Sequence, residues 1–125
     1  MKRLVLESWL LLLYLDVIMH ARNFRTLHET VRKCKIDFMT SKDQIPSEMI
    51  CRAMDLACVF YFKQVLCLQR SAATTIVMRR HGHKAEMIIG AQMTPFKSHA
   101  WVEIENTIVN DKPYMLDIYR VLDRC

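Results

Sequence analysis

The hydrophobic period of this chain changes at Gly82, and that change limits the folds open to it. Before Gly82 apolar residues recur at helical spacing, as in Ile50, Ala53, Met54, Ala57 and Cys58. After it they alternate: Ala100, Val102 and Ile104 fall on one face and His99, Trp101 and Glu103 on the other, the two-residue period of a strand. A chain divided in this way folds as α+β, with N-terminal helices packed on a small C-terminal antiparallel sheet. With 52% apolar residues and only 2 Gly and 3 Pro in 125 residues, it can form a core and needs few irregular loops. The length suits one domain over residues 1–125, with 1–65 helical and 66–125 carrying one more helix and the strands.

A first helix is expected from Val5 to Asn23. Met1-Lys2-Arg3 ahead of Leu10-Leu11-Leu12-Leu13 resembles the start of a signal peptide. Glu7 interrupts the approach, however, and Asp16 follows with no small-residue cleavage site. The uninterrupted apolar run is shorter than the ~20 residues of a bilayer span, so a buried amphipathic helix is favoured over peripheral membrane contact. A second helix is expected from Phe24 to Cys34, with His20 and His28 structural or solvent-facing, and a connection from Ile36 to Gln44. A third helix starts at Pro46-Ser47, with Ser47 as N-cap and Glu48 in the first turn.

Val59-Phe60-Tyr61-Phe62 reads as helix end or short strand, with a break near Lys63 to Leu66. A fourth helix follows from Cys67 to about Arg80, closed by Arg79, Arg80 and Gly82. Its weak point is Thr74-Thr75-Ile76-Val77, where branched side chains lose rotamer freedom. Strands are expected at Ala85 to Ala91, Ser98 to Glu105 and Thr107 to Val109, with turns at Met93 to Phe96 and at Glu105-Asn106. Met115 to Leu122 reads as strand or helix.

The net charge of +5 is spread over scattered pairs such as Arg22 and Arg25, Arg32 and Lys33, Arg79 and Arg80. With no dense basic run and no aromatic-studded RNA-binding signature, a solvated surface is favoured over a nucleic-acid partner. The 5 cysteines are odd in number and form no C-x-x-C pair. That argues against a disulfide framework or a metal site and for a reducing cytoplasm. Cys51 and Cys58, on one helical face, read as small core residues. His81 and His83 lack further ligands and read as surface residues.

The chemistry rests on Cys67, His99 and a residue of Asn110-Asp111. A cysteine in the first turn of a helix lies at the positive end of the helix dipole, which favours thiolate, and its neighbouring N–H groups suit an oxyanion. A histidine on an adjacent strand can take the proton and return it to a leaving amine. The orienting group is either Asn110 or Asp111. A two-residue loop at Glu105-Asn106 places Asp111 opposite Ala100, facing away from His99, so a longer loop or a bulge is expected. On composition alone, such a cysteine and histidine serve packing more often than catalysis.

Cys67-Leu68-Gln69-Arg70-Ser71-Ala72, then Arg79-Arg80-His81-Gly82, Ile88-Ile89-Gly90, Pro95-Phe96-Lys97-Ser98-His99-Ala100-Trp101-Val102-Glu103 and Val109-Asn110-Asp111 occur in one order. In that order the chain resembles the transglutaminase-like leader peptidases of lasso-peptide biosynthesis, over about Leu66 to Asp111. Thr74, Thr75 and Met78 depart from a more leucine-rich helix.

The resemblance implies a papain- or transglutaminase-like cysteine protease core that needs no cofactor and no metal. It makes Cys67 the nucleophile, His99 the base and Asp111 the orienting acid, with Arg70, Trp101 and Asn110 as site support. The implied partners are a ribosomally made precursor peptide, a separate leader-recognition protein and an ATP-dependent lasso cyclase. Nothing before Leu66 reads as a fused recognition module, so a stand-alone peptidase subunit is expected. An acyl transferase of the same fold and a non-catalytic peptide-binding module are the alternatives.

Overall fold

The computed structural model describes residues 2–36, 45–93, 96–111 and 115–125. Among these residues four helices precede a four-stranded antiparallel sheet: α1 (Lys2–Ala21), α2 (Phe24–Lys33), α3 (Ser47–Phe60) and α4 (Cys67–Arg80), then β1 (Ala85–Met93), β2 (Phe96–Ile104) and β3 (Thr107–Ile108). A short helix, α5 (Met115–Ile118), leads into β4 (Arg120–Arg124). The α+β division at Gly82 is therefore the observed one. The expected connection from Ile36 to Gln44 and the centre of the turn after Met93 lie largely outside the described residues.

Helix α4 is the axis of the molecule. Gln69 and every residue from Ser71 to Arg79 are buried, with α1, α2 and α3 on one side and β1 and β2 on the other. The threonines in it satisfy their own hydroxyls: Thr74 and Thr75 each donate to the carbonyl four residues back, at 2.8 Å. Such back-bonding lets a polar, branched residue sit in a dry helix with no outside partner. Ala72 and Ala73, fully buried, let neighbouring elements approach closely. The helix ends at Gly82 (φ 88°), where the His83 N–H reaches the Met78 carbonyl at 2.9 Å and the Gly82 N–H reaches that of Arg79 at 3.2 Å. This is a Schellman closure, and it needs the left-handed glycine.

Arg79 does more than complement the helix end. It is buried and donates to the carbonyls of Ala85 (2.9 Å), Val31 (2.5 Å), Cys34 (3.3 Å) and Cys125 (2.6 Å), tying α2, β1 and the end of β4 to α4. Charge-assisted bonds of this kind are worth about 1.5–3 kcal/mol each.

Several boundaries differ from expectation. Asn23 does not end the first helix; it caps α2, its Oδ1 accepting the Thr26 N–H at 3.2 Å. Pro46, not Ser47, is the N-cap of α3, and among the described residues no side chain caps that helix. The Pro46 carbonyl already accepts the N–H groups of Met49 and Ile50, which makes Ser47 the first helical residue. Val59 and Phe60 finish α3, so no strand forms there. His81 and His83 are half-buried and bonded, to Glu7 at 3.2 Å and to the Ile45 carbonyl at 2.6 Å.

α1 is apolar on all sides rather than amphipathic. It buries Leu4, Ser8, Leu12, Leu15 and Asp16, while Leu6, Leu10, Tyr14 and Val17 are exposed. Its mean hydropathy of 1.7 makes it long and apolar enough, by composition, to cross a membrane, yet its inner face packs on α3 and α4. The strand order is β3-β2-β1-β4, so the last strand crosses over to the far side of β1. Its register against β1 slips between Ile89 and Gly90, leaving Leu122 as an extra residue in β4.

Candidate active site

Cys67 is exposed at the first turn of α4. Two tethers place it. The buried Gln69 side chain donates to the Leu12 carbonyl at 2.8 Å, pinning that turn to α1. The segment just before it is held by Tyr61, whose hydroxyl donates to Asp16 at 2.9 Å, and by Lys63, which pairs with the same carboxylate at 2.8 Å. Burial pushes the Tyr61 hydroxyl up to about 12, reinforced by the adjacent Asp16 carboxylate. Leu66 provides no side-chain cap, and the first bond of the helix is from the Arg70 N–H to the Leu66 carbonyl. The N–H groups of Cys67, Leu68 and Gln69 therefore have no acceptor within the helix, as at any uncapped N-terminus.

His99 projects from β2, and its Nε2 meets Asp111 Oδ2 at 2.5 Å. With Nε2 committed to the carboxylate, Nδ1 is the ring nitrogen available to a reacting group. Trp101 and Tyr119 back the imidazole, with ring centroids 6.1 Å and 5.4 Å away. Trp101 is fully buried over Gly90 and donates its indole N–H to Glu103 at 3.0 Å. Glu103 is itself buried, and its other oxygen accepts from Arg124 at 3.0 Å. A Cβ on Gly90 would lie 2.7 Å from the Trp101 ring and 2.8 Å from Tyr119, so only glycine fits beneath the indole.

The route by which Asp111 reaches His99 differs from the expected bulge or longer loop. Glu105 and Asn106 form a two-residue turn with φ of 49° and 67°, the primed geometry favoured in tight hairpins. Ile104 pairs with Thr107 and Glu103 with Ile108, and regular pairing stops there. At the next position the Val109 N–H still reaches the Val102 carbonyl at 3.0 Å. The Val102 N–H, however, is taken at 2.7 Å by the side-chain oxygen of Asn110, while the Val109 carbonyl accepts from the Cys51 thiol at 3.4 Å. The Asn110 amide nitrogen approaches Ser71 Oγ at 3.4 Å, and that hydroxyl donates to the Ala100 carbonyl at 3.0 Å. Asn110 thus replaces a main-chain acceptor, the backbone leaves the ladder, and Asp111 turns to the His99 side.

These residues converge. Cys67, Arg70, Ser71, His99, Asn110 and Asp111 line one cleft of about 290 Å³. A smaller hollow of about 80 Å³, with Leu68 and Ile89 among its walls, shares Cys67 and His99. Arg70 lies at the cleft and pairs with Asp55 on α3, so its charge is already met. Trp101 does not line the cleft; it supports His99 from behind. The sequence places Ser71 and Gly90 in motifs without a role, gives Cys51 only a packing role and does not mark Tyr119, because their contributions arise only where α3, α4, β1 and the start of β4 meet β2. Burial pushes the Cys51 thiol up, as it does those of Cys34, Cys58 and Cys125.

A thiol at a helix start, an imidazole held by a carboxylate and N–H groups without an acceptor in their helix form the constellation of nucleophilic acyl transfer. The model of the transglutaminase-like superfamily matches residues 10–124, and the chain belongs to that superfamily. The chain is also similar to the microcin J25-processing protein McjB of Escherichia coli, with 36% identity over 56 residues. That stretch is 45% of this chain and 27% of McjB, so the chain matches about a quarter of the relative's length. Comparison with solved structures gives no match.

Proposed function

We propose that this protein is a cysteine endopeptidase that removes the leader from a ribosomally made lasso precursor peptide. The observation that carries the reading is the shared cleft of Cys67, His99 and Asp111, with the imidazole already fixed by the carboxylate. The similarity to a microcin-processing protein supports a peptide substrate.

In this reading the Cys67 sulfur attacks the carbonyl at the leader–core junction while His99 Nδ1 holds the thiol proton. The oxyanion forms against the free N–H groups at the start of α4. His99 then gives the proton to the departing core amine, leaving a thioester on Cys67. Water, deprotonated by the same nitrogen, releases the leader acid. Asp111 holds the ring through Nε2 and stabilises the imidazolium formed in both steps. Arg70, Trp101 and Asn110 keep these groups in place. The chain acts as a single peptidase domain in the cytoplasm, with a separate leader-recognition protein, and hands the core peptide to an ATP-dependent cyclase.

The test is cleavage of a precursor encoded beside this chain, with the recognition protein present, followed by mass spectrometry. Cys67→Ala abolishes cleavage while the fold and partner binding persist. Cleavage retained by that variant excludes Cys67 as nucleophile. An added primary amine appearing in the leader product would instead identify an acyl transferase. Intact precursor bound by the unmutated chain would identify a peptide-binding module.

A further inference from the structure

Beside the Arg79 end of α4, away from Cys67 at its start, α2 and the end of β4 bring together three side chains that the peptidase reading does not use. We infer that His28, Asp123 and Cys125 form a binding site for a borderline-soft divalent cation of the zinc type, stapling α2 to β4.

The donor set carries the inference. The three residues offer an imidazole nitrogen, a carboxylate oxygen and a thiol sulfur, the three protein donors that zinc takes, and all three atoms lie within 4.8 Å of one another. Zinc bonds of ~2.0–2.3 Å place ligand atoms about 3–4 Å apart around a tetrahedron, so only a small closure is needed. His28 Nε2 is buried, with no hydrogen-bond partner among the described residues, and it faces Asp123 Oδ2 at 3.8 Å, too far for a hydrogen bond. A buried ring nitrogen left in this way is rare and suits a metal ligand.

The frame is rigid enough to serve. Cys125 is locked to Met87 by two main-chain bonds, of 2.8 Å and 3.2 Å. Asp123 is oriented by the Arg124 N–H at 2.9 Å and by Arg32 at 2.6 Å. A carboxylate that ligates a metal is usually held by an outer hydrogen bond such as the one from the Arg124 N–H. Arg32 now occupies both Asp123 Oδ2 and the Cys125 thiol, so the incoming ion displaces its guanidinium, and the thiolate and carboxylate then neutralise the divalent charge. Three protein ligands leave a fourth position for water. Ligand-spacing rules could not find the site, because α2 and β4 lie at opposite ends of the sequence.

The test uses the full chain carrying Cys67→Ala, so that the cleft thiol cannot bind metal. The protein is stripped with a chelator and titrated with cobalt(II), then with zinc(II). One equivalent of cobalt is expected to bind with thiolate-to-cobalt charge-transfer absorption, which zinc abolishes by displacement. Cys125→Ser removes that absorption. His28→Ala weakens zinc binding by at least the ~10–100-fold that loss of an outer-shell partner alone produces.

A second measurement needs no change to the cluster: zinc slows alkylation of Cys125 but not of Cys58, and chelator reverses the protection. The site is overturned by any of three results: no charge-transfer absorption at stoichiometric cobalt, absorption that survives Cys125→Ser, or Cys125 alkylation indifferent to zinc. The cluster is then an ion-pair staple only.

Discussion

His99 and Asp111 face each other at 2.5 Å because β3 stops pairing at Ile108, not because the hairpin loop is long. Asn110 makes this possible by lending its side-chain oxygen to the Val102 N–H. Asn110→Ala should therefore act twice. It leaves a buried donor unmet, lowering stability by about 1–3 kcal/mol. It also frees Asp111 from its approach to His99, and misplacement of that size lowers kcat on the order of 10²-fold. Denaturant unfolding reads the first effect and precursor cleavage the second, with KM little changed. An unaltered kcat would show that Asp111 holds its place without Asn110.

Thiol chemistry should separate the five cysteines. Burial raises Cys34, Cys51, Cys58 and Cys125, whereas Cys67 is exposed. Iodoacetamide at neutral pH is expected to modify Cys67 first, with peptide mass spectrometry giving the order. Asp111→Asn should slow that labelling if the carboxylate helps His99 draw off the thiol proton. Modification of Cys125 ahead of Cys67 in metal-free protein would contradict the assignment of Cys67 as the reactive thiol.

Gly90→Ala forces a methyl against the Trp101 ring and Tyr119, with approaches of 2.7 and 2.8 Å that side chains do not sustain. Overpacking of this kind destabilises by about 1–3 kcal/mol. Because Trp101 and Tyr119 support the imidazole, activity should fall more than the unfolded fraction accounts for. Thermal unfolding beside cleavage rates of the folded protein checks both parts.

The Asp16–Tyr61–Lys63 cluster makes stability fall at both extremes of pH. Burial alone would raise the Asp16 carboxyl, but hydrogen bonds from Lys63 and Tyr61 outweigh it and hold the group below 3.8. Its contribution is present above that value and is lost as pH falls through the folded-state value. Tyr61 moves the other way, from 10.0 to about 12, so its contribution is complete below pH 10 and is lost as pH rises through about 12. Urea midpoints measured across pH should show both losses, and Tyr61→Phe should remove the alkaline one.

Legibility in the sequence followed the range of the interaction. Helix α4 was readable from Cys67 to Arg80 because its signals are local: a periodic run, basic residues at the end and a glycine just past it. Its threonine run looked like a weakness only because back-bonding to Arg70 and Ser71 is not visible in a propensity. The alternation of β2 gave the faces of His99 and Trp101, although the strand begins at Phe96 rather than Ser98. For α1, the sequence suggested one apolar face, whereas the helix is apolar all round and covers only part of that surface.

The order of residues by itself determined the change of period at Gly82, the helix that begins at Cys67 and the strand that carries His99. These depend on side-chain spacing and on backbone preferences within a few residues. Only the tertiary structure decided that Asp111 turns toward His99, that β4 lies beside β1, that Arg79 joins three elements and that His28 meets Cys125. Each of these rests on one polar group satisfying another from a distant part of the chain. Which carbonyl or carboxylate a buried donor finds is settled when the helices close over the sheet and water is excluded.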